Sequence, residues 1–349
     1  MKRRTFIGLL GASALSVPFM LAERGLGQAG RTARKGAAKQ QTPLRVKLPK
    51  DMTRLAEFLG QRSKGVYLLG GGVLAAAGGV EPAYANLLID SKDFTAVKKS
   101  LFDFGVAPVS TADLPRNFIR FVYGDTPYNV LNMNFDTYVE LAMTGQENGL
   151  IFFAHSYLSY SIDGRYALDP YEALQARTED GKFHLIKPLR QPRTLLHGFD
   201  HCLAATFDQS LFGLQPSPQY RQIEDRVFHS TPSAADAKEI FSRLLDYSSD
   251  ILEVGGLDAT SRFLTAPVCV SAGQTTAGID LTSVDAQLRQ WQRDGEEVSA
   301  RAFMTIVHRE LKKKSAGKGS AQGLPEFVMA NKELFRRVET LREAMIAEV

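Results

Sequence analysis

Residues 66–90 read VYLLGGGVLAAAGGVEPAYANLLID, and their pattern sets the architecture of the first half of the chain. Val66–Leu69 is a run of apolar residues between glycines, too short for a helix and suited to a buried strand. Gly70-Gly71-Gly72 turns the chain. Val73–Ala77 follows as a helix of side chains small enough to pack closely on a sheet, and Asn86–Ile89 is the second strand.

The same alternation extends outward. Residues 51–62 place Leu55, Phe58 and Leu59 at helical spacing before a Ser63-Lys64-Gly65 stop. Residues 93–104 gather Phe94, Val97, Leu101 and Phe102 on one helical face, and Gly105 ends that helix. Ile119–Tyr123 and Tyr128–Asn132 flank Gly124-Asp125-Thr126-Pro127, a hairpin signal, and Asp163-Gly164-Arg165 marks a second turn between 156–162 and 166–168. Residues 135–143 read as helical, and from about residue 193 the pattern becomes helical throughout, with amphipathic segments at 193–209, 234–253, 283–293, 297–313 and 325–348 and a break at Ser315–Gly323. The expected fold class is α+β: a mixed-sheet head over 51–192, then an all-α region over 193–349.

The first 50 residues differ in kind. Lys2, Arg3 and Arg4 precede Thr5-Phe6-Ile7-Gly8 and an apolar stretch to about Ala22, with Gly27-Gln28-Ala29 offering small residues for cleavage. This pattern resembles a twin-arginine export signal over 1–29 and predicts a periplasmic or otherwise exported protein. Its apolar core falls short of the roughly 20 residues a membrane span needs. Residues 30–50 carry Arg31, Arg34, Lys35, Lys39, Arg45, Lys47 and Lys50 with no acid, and read as a flexible basic linker. Of the net +4, residues 1–29 contribute +3 and residues 30–50 contribute +7, so the body is about −6. An acidic body argues against a nucleic-acid partner, and no later segment is long and apolar enough to span a membrane. Cys202 and Cys269 are the only cysteines. They read either as a disulfide, whose loop closure would contribute about 4 kcal/mol on the chain-entropy model, or as two buried thiols.

Residues 66–175 resemble the head of the nucleotidyltransferase-fold superfamily, in particular the tRNA-nucleotidyltransferase and poly(A)-polymerase heads. Gly70-Gly71-Gly72-Val73 resembles the family's Gly-Gly turn, where backbone amides approach a triphosphate. Leu87-Leu88-Ile89-Asp90 resembles the end of its Asp-x-Asp strand, and Ala167-Leu168-Asp169-Pro170-Tyr171 with Leu174 resembles its Asp-Pro-Phe-x-x-Leu stretch. The resemblance implies a two-metal site in which carboxylates hold the ions that clamp a triphosphate. Aligned by Leu87–Asp90, the family's acids fall on Tyr84, Asn86 and Asn129, none of which supplies charge. The expectation is therefore a catalytically degenerate protein with no metal or other cofactor, binding a small molecule or protein partner beside Gly70, Gly71, Gly72, Asn86 and Asn129. The alternative is an active Mg²⁺-dependent nucleotidyltransferase that recruits Asp90, Asp93 and Asp125. Of these, Asp90 stands at the far end of its strand, Asp93 reads as a helix N-terminal residue and Asp125 as a turn residue.

A separate pair, His197 and His201, lies at i, i+4 with Asp200 and Asp208 nearby, a spacing that suits zinc or iron. No third ligand is fixed by spacing, and a structural pair is the preferred reading. His155, His184, His229 and His308 are scattered. Gly-x-Ser-x-Gly, Gly-x-Gly-x-x-Gly and a Walker lysine motif are absent from the sequence.

Overall fold

The computed structural model describes residues 41–82, 84–108, 117–144, 153–181, 185–189 and 191–317. The expected signal at 1–29, most of the basic linker, His184, the last expected helix at 325–348 and most of the break before it lie outside the described residues. The described chain divides into two compact units, one of residues 41–191 and 211–222 and the other of 192–210 and 223–317.

The first unit is built on an eight-stranded mixed sheet. Its strands are β1 (Gln41–Pro43), β2 (Val66–Leu69), β3 (Ala85–Ile89), β4 (Ala107–Pro108), β5 (Phe118–Tyr123), β6 (Thr126–Asn132), β7 (Ser159–Ser161) and β8 (Tyr166–Leu168). They lie in the order β1-β8-β7-β2-β3-β6-β5-β4. Only β3 and β6 run parallel; the other neighbours are antiparallel.

Four helices accompany these strands: α1 (Lys50–Gly60), α2 (Gly71–Ala77), α3 (Phe94–Phe104) and α4 (Phe135–Thr144). In α1 the buried set Met52, Leu55, Ala56 and Leu59 follows the helical period. Asp93 starts α3 by accepting a hydrogen bond from the Ala96 amide at 2.9 Å, and left-handed Gly105 closes it. The small side chains of α2 are buried from Gly71 to Ala76. One face of the sheet carries the row Tyr67, Leu88, Leu131 and Phe118, with Leu69 and Leu168, against Phe135, Tyr138 and Val139 of α4. Fully burying a side chain of this size contributes about 1.5–3 kcal/mol. On the other face Leu68, Leu87, Val130 and Ile119 are equally buried, so the centre of the sheet is covered on both sides.

Two features depart from the sequence pattern. Residues 41–43, inside the stretch read as linker, pair with Tyr166–Leu168 as β1, and the Leu44 amide extends the pairing by donating to Arg165 O at 3.0 Å. The free edge of β8 recruits this segment, and Pro43 suits an edge position because it needs no donor. Residues 211–222, inside the stretch read as helical, belong to the sheet unit. They bury Leu211, Phe212, Leu214 and Tyr220 there, and β10 (Gln215–Pro216) pairs in parallel with β9 (Leu185–Ile186).

The second unit is helical. It holds the larger part of α5 (Leu195–Phe212), the end of α6 (Pro218–Phe228), then α7 (Ala234–Leu264), α8 (Pro267–Ala277), α9 (Leu281–Arg293) and α10 (Ala300–Gly317). Ser233 and Asp236 cap α7: the Ser233 hydroxyl accepts from the Asp236 amide at 3.2 Å and donates to its carboxylate at 2.8 Å. Pro267 opens α8 and left-handed Gly278 closes it. Near the end of α5 the Ser210 carbonyl lies in the turn that lacks intrahelical donors. Arg262 of α7 satisfies it with two hydrogen bonds, at 2.8 and 3.1 Å.

Within α7, Gly256 leaves the helical region at φ 64° and ψ −169°. Only glycine adopts that conformation readily, and a Cβ placed there would meet no atom within 4 Å. The cost of a side chain is therefore a backbone cost alone. Gly256→Ala is expected to lower the free energy of unfolding by about 1–3 kcal/mol, measured by urea denaturation. An unchanged value would mean that α7 straightens through residue 256 without penalty.

Candidate functional site

The site grows from the register of β2, β3, β6 and β5. The pairings Leu69↔Asn86, Asn86↔Asn129 and Asn129↔Arg120 place those residues side by side across four strands. This row lies one pleat from the apolar row Tyr67, Leu88, Leu131 and Phe118, on the same face. Asn86 is 4%, Asn129 2% and Arg120 8% exposed, and Tyr84 is fully buried.

The polar side chains form a directed chain. Arg120 Nε donates to Asn129 Oδ1 at 3.0 Å, Asn129 Nδ2 donates to Asn86 Oδ1 at 2.9 Å, and Asn86 Nδ2 donates to the Tyr84 hydroxyl at 3.4 Å. A guanidinium has donors only. It therefore fixes the oxygen of Asn129 toward itself, which leaves the Asn129 amide group to face Asn86. Sequence reasoning named Tyr84, Asn86 and Asn129, and the structure brings all three together. It missed Arg120, because an arginine inside Phe118–Tyr123 reads as a strand residue pointing to solvent.

The residues of this row do not fit Mg²⁺. A divalent cation of this kind asks for several oxygen ligands, carboxylates among them. The row supplies two carboxamide oxygens that already accept hydrogen bonds, one phenol and a permanent positive charge.

The glycine turn lies at the end of β2. Gly70 has φ 64° and ψ −138°, its amide donates to Leu158 O at 2.7 Å, and its carbonyl accepts from the Val73 amide at 3.0 Å. Gly71 and Gly72 are buried. A Cβ on Gly71 would stand 2.5 Å from Cδ2 and 2.6 Å from Cε2 of Phe212, so the glycine is there for the ring. Phe212 is itself buried and packs on Tyr84 with ring centroids 5.1 Å apart. Phe212 escaped sequence reasoning because it sits in a stretch whose local pattern is helical.

The fallback acids do not converge. Asp90 follows the C-terminal end of β3, where it accepts a hydrogen bond from Asn134 Nδ2 at 2.9 Å and lies 3.5 Å from Lys64 Nζ. Asp93 is the cap of α3, and Asp125 is in the exposed turn before β6. Because β3 and β6 are parallel with Asn86 opposite Asn129, Asp90 and Asp125 stand beyond opposite ends of the strand pair, about 25 Å apart at 3.3 Å per residue. Asp169 acts on its own segment. Its carboxylate accepts from the amides of Ala173 and Leu174 at 2.7 and 2.8 Å, which ties down a short 3-10 turn.

In the helical unit the histidine pair separates by environment. His197 is exposed and His201 buried, and His201 Nδ1 lies 2.7 Å from the His197 carbonyl, so it donates along its own helix. Among the described residues no group of three or more His, Cys, Asp and Glu side chains is placed to hold a metal ion. Asp200 is 6% exposed and 3.8 Å from Arg243 Nε, which also pairs with Glu239 at 3.0 Å. Burial pushes the Asp200 carboxyl up to about 6, against the opposing pull of Arg243 and His197 and with a smaller push from Glu239. Cys202 and Cys269 are fully buried and both remain thiols. Burial, and after it the neighbouring Cys202, pushes the Cys269 thiol well up.

No family model and no curated protein sequence matches the chain. Among solved structures it is similar to a CCA-adding enzyme in complex with ATP, at 14% identity over 92% of this chain and 76% of that one, with a TM-score of 0.46. It is likewise similar to a CCA-adding enzyme in an apo form (12%, 91% and 73%, 0.47) and to the Thermotoga maritima CCA-adding enzyme complexed with tRNA (14%, 92% and 76%, 0.43).

Gly71→Ala is expected to destabilise the protein by about 1–3 kcal/mol through overpacking against Phe212. Much of that loss should be recovered in the double variant with Phe212→Leu, as a thermodynamic cycle would show; additive losses would separate the two residues. Asp200 gives a pH test. Its folded value, about 6, lies above its ordinary 3.8, so its contribution is fullest below pH 4 and is lost as pH rises through 6. The loss is on the order of 3 kcal/mol. Asp200→Asn should therefore gain stability relative to the parent between pH 4 and pH 7 in urea titrations; a constant difference would contradict a buried, reluctant carboxylate.

Proposed function

We propose that this chain is an exported protein with a nucleotidyltransferase-like head that has given up nucleotidyl transfer and serves to bind a ligand or a protein partner without metal. The observation that carries this proposal is the buried chain Arg120–Asn129–Asn86–Tyr84. The positions that the family resemblance assigns to acids meet on adjacent strands, which supports the alignment, and they meet as amides hydrogen-bonded to one another and to a fixed cation. Two further features agree. Phe212 fills the space above Gly71, and the Gly70 amide is spent on Leu158, so a triphosphate would have to displace a buried ring to reach the turn. Export rests on Lys2-Arg3-Arg4 and the apolar stretch after them. Among the described residues no helix is long and apolar enough to cross a membrane.

An active enzyme built on Asp90, Asp93 and Asp125 is disfavoured by their separation, since two-metal catalysis holds its ions about 4 Å apart. The discriminating experiment is calorimetry of the chain from Gly30 onward with ATP and CTP, with and without Mg²⁺ or Mn²⁺. A parallel assay follows nucleotide incorporation into an RNA acceptor. Metal-dependent binding should be absent and incorporation should stay at background. Either metal-dependent binding or turnover abolished by Asp90→Ala would overturn the proposal.

A further inference from the structure

We propose that the Arg120 guanidinium is the resident cation of this site: it holds the amide pair in place and closes the site to metal ions even when carboxylates are put back. The inference rests on the proposed loss of the family's acids and goes beyond it, because it makes the loss a matter of charge exchange as well as of missing ligands.

Three observations carry it. Arg120 sits on the strand adjacent to β6, opposite Asn129, and only 8% of it is exposed. Its Nε donates to the Asn129 oxygen at 3.0 Å, the place a carboxylate oxygen would take if residue 129 were an acid. The hydrogen bonds beyond it run in one direction, to Asn86 and then Tyr84, as a fixed positive charge at one end dictates. Buried positive charge needs oxygen acceptors around it, and Asn129 supplies one that stays neutral. A divalent ion beside these oxygens would stand within a few ångströms of a permanent like charge in a weakly screened interior. Changing only the asparagines would give the new carboxylates a partner already in place, and the guanidinium would outcompete an ion from solution.

The test is Mn²⁺ binding to the full chain, measured by calorimetry and by electron paramagnetic resonance, in four proteins. The parent should not bind at this site. Asn86→Asp with Asn129→Asp should bind no more tightly than the parent. Adding Arg120→Gln should tighten binding by about 100-fold or more, the scale of removing one close like charge. Adding Arg120→Lys should leave binding as weak as in the double variant, since the charge is retained and only the planar fork is lost. Mn²⁺ binding by the double variant as tight as by the Arg120→Gln triple variant would overturn the inference and leave the proposed function standing. Mn²⁺ binding by the parent would overturn the proposed function. Failure of a folded Arg120→Gln triple variant to bind would overturn the inference as well.

A single change provides a readout that does not need a triple variant to fold. With a cation beside it, the carboxylate created by Asn129→Asp should titrate below its unfolded value. Its contribution to stability would then be present above about pH 4 and lost as pH falls further. Asn129→Asp should accordingly gain on the parent between pH 3 and pH 6 in urea midpoints. A relative loss over that window would show a carboxylate buried without its cation and would overturn the inference.

Discussion

The guanidinium of Arg120 can donate hydrogen bonds and never accept them, and that one-way chemistry sets the direction of the buried polar row beside it. Both amides inherit their orientation from it, and the Tyr84 hydroxyl takes the last bond. The chain exists only while β3, β6 and β5 keep their register. A slip of one residue would move every side chain of a strand to the opposite face, scattering the polar row and driving its amides into the apolar layer of Leu68, Leu87 and Val130. The apolar row and the polar row therefore enforce the same alignment, one by burial and the other by complementarity of donors and acceptors. Partly satisfied polar groups in such a place are costly, which makes this row the most demanding part of the sheet.

Much of the fold is legible in the sequence because its signals are local. Both hairpins form where the Gly124-Asp125 and Gly164-Arg165 signals place them. Asp93 and Asp125 take the modest roles their neighbours suggest, as a cap and a turn residue. The expected helix at 234–253 runs on to Leu264, because Gly256 interrupts the backbone without ending the packing on either side. What local pattern does not reveal depends on distant partners. β1 is three residues that become a strand only because β8 offers them an edge. Helix α8 buries small and mixed side chains without a clean period, and periodicity alone does not announce it.

The candidate site divides in the same way. Tyr84, Asn86 and Asn129 lie in or directly before strands, where spacing carries information and the sequence alone singles them out. It does not single out Arg120 and Phe212, since a buried arginine inside a strand and a phenylalanine near a helix end look like ordinary residues until the chain is folded. These two give the row of neutral side chains its character: one contributes charge, and the other packs its ring over Gly71 and against Tyr84. The fallback acids show the converse. Asp90 and Asp125 look close enough in sequence to cooperate, and a parallel strand pair holds them at opposite ends.

The outermost strand also has a bearing on how the sheet avoids pairing with itself. β1 is short, it ends in a proline, and it covers the hydrogen-bonding edge of β8. The chain just beyond it carries Arg45 and Lys47, both exposed, at sites open to trypsin-like cleavage. A cut there would detach the cover and leave Tyr166–Leu168 as a bare edge, ready to pair with the same edge of a second molecule. The three residues from Gln41 to Pro43 thus act as a guard on self-association.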